Sequence, residues 1–159
     1  MTRVGLGYDS HRFEAGRPLV LGGVEIDHPM GLAGHSDGDA ALHAVIDALL
    51  GAAGLADIGE QFPDTDPRWK DADSAELLKQ TTAKLAEAGY RPVNCDVTIL
   101  AEAPRLTHYK QQMRSRIGEL LGLPVDAVSV KAKTNEQMGW IGRREGIAAL
   151  AAALVERTG

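Results

Sequence analysis

A single cysteine, Cys95, in 159 residues excludes an internal disulfide and with it the stapled scaffolds of small secreted domains. The N-terminal stretch MTRVGLGYDSH lacks the long apolar core of a signal peptide, so the cytoplasm is the expected compartment. No apolar run approaches the roughly 20 residues that span a bilayer. The richest, Ile147 to Val155, is short and mostly alanine. Positive charge is also scarce, 17 Lys and Arg against 22 Asp and Glu giving −5 at pH 7. Nucleic acid and acidic membranes are held by neutralising many phosphates, so neither is an expected partner. One small phosphorylated ligand is compatible with this charge. The chain contains no internal repeat, low-complexity tract or linker, and its length suits one domain, residues 1–159, with an ordinary core.

Periodicity supplies the elements. Val4, Leu6 and Tyr8 alternate with glycines, which suggests a strand over Arg3 to Tyr8 whose glycines permit close approach of another backbone. Asp9 and His11 follow, two residues apart and so on one side of extended chain. Gly22-Gly23 between Pro18–Leu21 and Val24–Ile26 reads as a short hairpin. From Asp39 the apolar residues Leu42, Val45, Ile46 and Leu49 recur at helical spacing, with Ser36 or Asp37 as N-cap and Gly51 or Gly54 as C-cap. Leu55 to Asp73 follows neither period. A second helix, capped by Asp73 or Ser74, runs to Gly89, and a third covers about Thr107 to Leu121. Val93 to Ile99, with Cys95 as a packing residue, and Val128 to Ala132 read as strands. Gly146 to Glu156 reads as helix on the propensity of its alanines. Strands and helices in this order predict an α+β sandwich with helices covering a small mixed sheet.

Several groups of residues carry chemistry. Asp9, His11 and His43 offer a carboxylate and two imidazoles, a set that suits Zn²⁺ with a fourth position open. Spacing alone is equally served by two surface histidines and a strand-end aspartate. His35 and Ser36 at a helix start can bind phosphate through backbone N–H groups, a hydroxyl and an imidazole, or Ser36 can simply cap. The acidic loop Asp57 to Asp66 can accept from polyol hydroxyls or serve as turn chemistry. Glu136 can hold Mg²⁺ against phosphate oxygens. Gly142 to Gly146, with Arg143 and Arg144, offers a basic clamp or a solvated turn.

Taken together these stretches resemble the 2-C-methyl-D-erythritol 2,4-cyclodiphosphate synthases. The resemblance rests on GYDSH at 7–11, GGVEI at 22–26, AGHSDGDAALHAVIDALLGAAGLADIG at 33–59, FPDTDP at 62–67, DVTILAEAPRL at 96–106 and VKAKTNEQMGWIGRREGIA at 130–148. It implies a homotrimer with sheets around the threefold axis and active sites between subunits, and it makes Gly146 to Glu156 a strand near that axis. Asp9, His11 and His43 would be zinc ligands, and Glu136 the ligand of Mg²⁺ or Mn²⁺ brought with substrate. His35 and Thr134 would act in the catalytic step. Ser36, Asp57, Gly59, Phe62, Pro63, Asp64 and Asp66 would hold the methylerythritol end. Ala101, Pro104, Arg105, Leu106, Ala132 and Lys133 would form the cytidine and phosphate pocket, and Arg143 would face an isoprenoid diphosphate in the axial cavity. Arg105 and Lys133 depart from the family's usual lysine and threonine. Asp37 and Asp39 become caps that shape the loop. The implied activity converts 4-diphosphocytidyl-2-C-methyl-D-erythritol 2-phosphate to the cyclic diphosphate and CMP. The alternative is a non-catalytic module that binds a nucleotide or an isoprenoid diphosphate, with structural zinc.

Overall fold

The computed structural model describes residues 1–159. Its frame is a five-stranded sheet in the order β4-β1-β7-β5-β6, formed by β1 (Thr2–Ala15), β4 (Met30–Leu32), β5 (Tyr90–Leu100), β6 (Val128–Lys133) and β7 (Gly146–Arg157). The sheet is mixed, because β5 and β6 run parallel while the other neighbours are antiparallel. A separate hairpin of β2 (Leu19–Leu21) and β3 (Val24–Ile26) turns at Gly22-Gly23, both at positive φ. That turn was legible because glycine alone enters this region without steric cost.

Three long helices, α1 (Ala40–Ala53), α3 (Ser74–Glu87) and α4 (Lys110–Leu121), cover one face of the sheet. Beneath them lie the buried side chains of Cys95, Val97 and Ile99 on β5 and of Ile147, Ala149, Ala151, Ala153 and Val155 on β7. On the other face Val4, Leu6, Tyr8 and Leu150 are 68, 79, 55 and 47% exposed, an apolar patch of the kind that marks an interaction surface. No helix is long and apolar enough to cross a membrane.

The close approach expected at the glycines of β1 is real. A Cβ on Gly5 would lie 1.9 Å from the Ala48 carbonyl oxygen, and one on Gly7 would lie 1.9 Å from that of Ala44. Helix α1 therefore rests directly on the β1 backbone, with Ala40, Ala41, Ala44, Ala48 and Ala52 buried beside it.

The helical reading of Gly146 to Glu156 is wrong, and the strand implied by the family resemblance is what forms. β7 lies between β1 and β5 and pairs with both along nearly its whole length. Alanine favours a helix over a strand by a fraction of a kcal/mol per residue, less than the burial and ladder hydrogen bonds of a central strand return. Small side chains also leave room for α1 above.

The N-cap of α1 is Asp39, one of the two loop caps expected above, in place of the first candidates Ser36 and Asp37. Its Oδ1 accepts from Leu42 N at 2.9 Å and from Gly22 N at 2.9 Å, and its Oδ2 accepts from Gly23 N at 2.7 Å. One fully buried carboxylate thus ties the hairpin turn to the helix start. Gly54, in the left-handed region, ends α1, and Asp73 caps α3. Helix α4 begins at Lys110, later than expected, since Thr107–Tyr109 form a turn closed by Tyr109 N–H on the Leu106 carbonyl. Two short elements, α2 (Ile58–Gln61) and a 3₁₀ turn at Pro67–Trp69, punctuate the loop before α3, and α5 (Gly139–Gly142) precedes β7.

Candidate active site

Strand β1 runs on through Asp9 and His11 instead of stopping before them, so both point to the face that carries α1. His43, in the first turn of α1, meets them there. His11 Nε2 lies 2.7 Å from Asp9 Oδ2 and 3.2 Å from His43 Nδ1, and His43 Nδ1 lies 2.9 Å from Asp9 Oδ2. The three form the one cluster of His, Cys, Asp or Glu side chains with metal-ligand spacing. The open question at the sequence level, whether two histidines 32 positions apart meet, is answered by the docking of α1 on β1.

The donor chemistry fits a divalent cation. His11 Nδ1 sits 2.6 Å from the Ala33 carbonyl. A carbonyl can only accept, so Nδ1 carries the proton and Nε2 turns a lone pair to the centre. Tetrahedral arms of about 2.0–2.1 Å place ligand atoms about 3.3 Å apart, slightly wider than the observed triangle. Without a cation a proton must take its place, and the electrostatics reflect this. Burial pushes the Asp9 carboxyl up, but hydrogen bonds and charge from His11 and His43 outweigh it and hold it at about 2. Burial lowers His11, yet the hydrogen bond and charge of Asp9, with the Ala33 carbonyl, raise it above its ordinary 6.5.

In the metal-free protein these two groups give opposite pH dependences of stability. The raised His11 contributes stability that is present in full below about 6.5 and lost as pH rises through its folded value. The depressed Asp9 contributes stability present above about 3.8 and lost as pH falls towards 2. A metal ion competes with the His11 proton, so its affinity should fall by about tenfold per pH unit below the raised value and level off above it. Chelator competition between pH 5 and 8 measures this. A flat profile over that range would remove His11 from the ligand set.

An open pocket of about 270 Å³ adjoins the triad, lined by His11, His35, Ser36 and His43 at one end and by Ile58, Gly59, Phe62, Asp64, Trp69 and Leu77 at the other. His35, Ser36, Gly59, Phe62 and Asp64 are thereby brought beside the triad. Asp57 caps α2, accepting from Glu60 N at 3.0 Å, and Asp66 accepts from Arg68 at the 3₁₀ turn. Neither carboxylate lines the pocket, and nor does Pro63. Sequence reasoning missed Trp69, which packs edge-on against Phe62 with ring centroids 5.1 Å apart. It also missed Ile58, Leu77 and Asp47, whose Oδ1 fixes Ile58 N at 2.8 Å. Trp69, Leu77 and Asp47 belong to no motif, so no local signal marks them.

The remaining residues expected in the site, Arg143 apart, lie in a second cluster at the C-terminal ends of β5 and β6. Ala101 N donates to the Lys133 carbonyl at 2.9 Å, joining Ala101–Leu106 to Ala132–Glu136. Glu102, not singled out beforehand, accepts from Asn135 N and Gln137 N at 3.0 and 3.2 Å and holds the turn that presents Glu136 at positive φ. In the sheet Ser10 faces Ala148, Ala148 faces Leu100 and Leu100 faces Lys133. With strands about 4.8 Å apart, this cluster lies about 14 Å from β1 at the same end of the sheet. Within one chain the two halves stand side by side, not facing one another. Arg143, after α5, pairs with Glu145 at 2.8 Å and is solvent-exposed. Buried Cys95 has its thiol pushed up to about 12 by burial and by Asp96, which makes it a packing residue with no nucleophilic role.

The chain is similar to known proteins along nearly all of its own length. The chain is 61% identical over 96% of its residues to the 2-C-methyl-D-erythritol 2,4-cyclodiphosphate synthase of Symbiobacterium thermophilum, and the match covers 97% of that protein. The fold superposes on the bifunctional IspDF of Campylobacter jejuni with a TM-score of 0.95 and 46% identity, covering 99% of this chain and 42% of that one. It superposes on IspF of Plasmodium falciparum in complex with CDP with a TM-score of 0.87 and 31% identity, covering 99% and 97% of the two chains. A sequence profile of the YgbB family matches residues 2–156, a span that holds the Asp9, His11 and His43 triad, its pocket and the second cluster, and the chain belongs to that family.

Proposed function

We infer that the protein is a 2-C-methyl-D-erythritol 2,4-cyclodiphosphate synthase. It would convert 4-diphosphocytidyl-2-C-methyl-D-erythritol 2-phosphate to the cyclic diphosphate with release of CMP. The observation that carries this reading is the convergence of Asp9, His11 and His43 beside a pocket that pairs phosphate-binding groups with an apolar wall. At about 270 Å³ the pocket is small for a ligand site. That suits a methylerythritol phosphate, and this reading assigns the cytidine to the second cluster. Ile58, Phe62, Trp69 and Leu77 suit the branching methyl group, while Asp64 and the turn held by Asp57 accept from hydroxyls.

The reaction is an intramolecular displacement. An oxygen of the 2-phosphate forms a bond to the β-phosphorus, the bond from that phosphorus to the CMP oxygen breaks, and CMP leaves with the electron pair. The nucleophile is already ionised, so no residue need act as general base. The difficulty lies in bringing two anions together in line. His35 and Ser36 hold the terminal phosphate against the pocket, and Thr134 and Lys133 steady the diphosphate from the other end. A divalent cation held by Asp9, His11 and His43, which we take to be Zn²⁺, and a second, Mg²⁺ or Mn²⁺ on Glu136, supply positive charge to the phosphate oxygens when bound. Ala101, Pro104, Arg105, Leu106 and Ala132 cradle the nucleotide.

One chain supplies both halves side by side, so a complete site requires the second cluster of a neighbour. The apolar outer face of Val4, Leu6, Tyr8 and Leu150 supports such an assembly. We propose a homotrimer packed through that face, with Arg143 near its axis, and a single domain throughout. Incubation with the diphosphocytidyl substrate, Zn²⁺ and Mg²⁺ tests the function. CMP release with a cyclic diphosphate by phosphorus NMR is the expected result. A linear diphosphate or free phosphate would mean hydrolysis, and binding of nucleotide without CMP release would mean a non-catalytic module.

A further inference from the structure

His43 uses only one ring nitrogen at the metal centre, and its other nitrogen enters a buried chain of polar groups. Nε2 lies 2.8 Å from Ser74 Oγ and 3.1 Å from Ser36 Oγ. Ser74, fully buried at the first position of α3, donates its hydroxyl proton to Asp37 Oδ1, and its backbone N–H donates to Asp37 Oδ2 at 3.0 Å. Asp37 also accepts from Asp39 N at 3.1 Å. A hydroxyl has one proton. With that proton given to the carboxylate, Ser74 Oγ can only accept from His43, so the imidazole proton must reside on Nε2.

We propose that Asp37 and Ser74 are positioning residues that hold His43 as its Nε2–H tautomer, which turns the Nδ1 lone pair to the metal and leaves the Ser36 hydroxyl proton free for a phosphate oxygen. The second consequence follows from the same proton count. Ser36 Oγ faces an N–H on His43 and accepts from Gly38 N at 3.4 Å, so its own proton has no acceptor in the chain. Asp37 thus orders the metal ligand and the phosphate-binding hydroxyl at once, from outside the pocket. This inference rests on the functional reading above for the identity of the phosphate. The tautomer does not depend on it.

The test uses zinc as the probe and needs no turnover. In Ser74→Ala the His43 Nε2–H loses its buried acceptor, and zinc affinity by chelator competition should weaken by about 10- to 100-fold, the usual effect of removing a partner behind a ligating histidine. Ser74→Thr retains the hydroxyl and should stay within about threefold of the wild type, on the same scale. Nitrogen-15 spectra of histidine-labelled, zinc-loaded wild-type protein should show His43 coordinated through Nδ1 with the proton on Nε2. Coordination through Nε2 would overturn the proposal, as would Ser74→Ala binding zinc like the wild type. A wild-type protein that holds zinc in the expected tautomer yet forms no cyclic diphosphate would sink the functional reading and leave the positioning role standing.

Discussion

Replacing His43 with alanine should abolish stoichiometric metal binding and reduce kcat/KM by on the order of 10³ or more, since the bound ion supplies several kcal/mol of charge stabilisation and each 1.4 kcal/mol is tenfold. The fold should survive. His43 is one of the few buried polar residues, 8% exposed, and its removal leaves the Ser36 and Ser74 hydroxyls short of one partner, a cost of about 1–3 kcal/mol. The remaining pair, Asp9 and His11, lie two residues apart on one strand and cannot enclose an ion from two sides. Metal analysis of the purified variant, beside its CMP-release rate and its melting curve, checks all three parts. A variant that keeps one metal per chain would remove His43 from the ligand set.

Gly7→Ala should be damaging out of proportion to its size. The added Cβ would stand 1.9 Å from the Ala44 carbonyl oxygen, 2.8 Å from its carbon and 2.9 Å from Ala48 N, all backbone atoms of α1 that no rotamer change can move. The helix must lift from β1. Overpacking of this kind costs about 3 kcal/mol or more, which for a chain of this length lowers Tm by on the order of 10 °C. The shift is also functional, because Ala44 adjoins His43 and the metal triad is closed by this very contact. Metal affinity should therefore fall together with Tm. A melting temperature within about 2 °C of wild type would show that α1 does not press on the strand as described.

Legibility in the sequence followed the range of the physics. Turns and caps are local, so the Gly22-Gly23 hairpin, the α1 end at Gly54 and the Asp73 cap could be read from neighbouring residues. Even there the tertiary structure intervened: Asp39 prevails over Ser36 and Asp37 as N-cap because its carboxylate serves Gly22 and Gly23 as well as the helix. Asp9 and His11 could be placed on one side of a strand by period alone. Trp69, Leu77, Asp47 and Glu102 could not be singled out, and Ser74 stood out only as a cap candidate, because each owes its role to a contact with a distant segment.

Residue types and local pattern decide the candidate ligands, the loop and helix that carry them, and, through the density of motifs, the family. They do not decide that β7 is a strand, for its alanines prefer a helix until two neighbouring strands and a close-packed α1 outweigh that small preference. Nor do they decide that His11 and His43 meet, since that contact is made by the docking of α1 on the glycines of β1. Local free energies select elements. Only the burial of those elements against one another brings Asp9, His11 and His43 to one point and leaves the second cluster beside them in each chain.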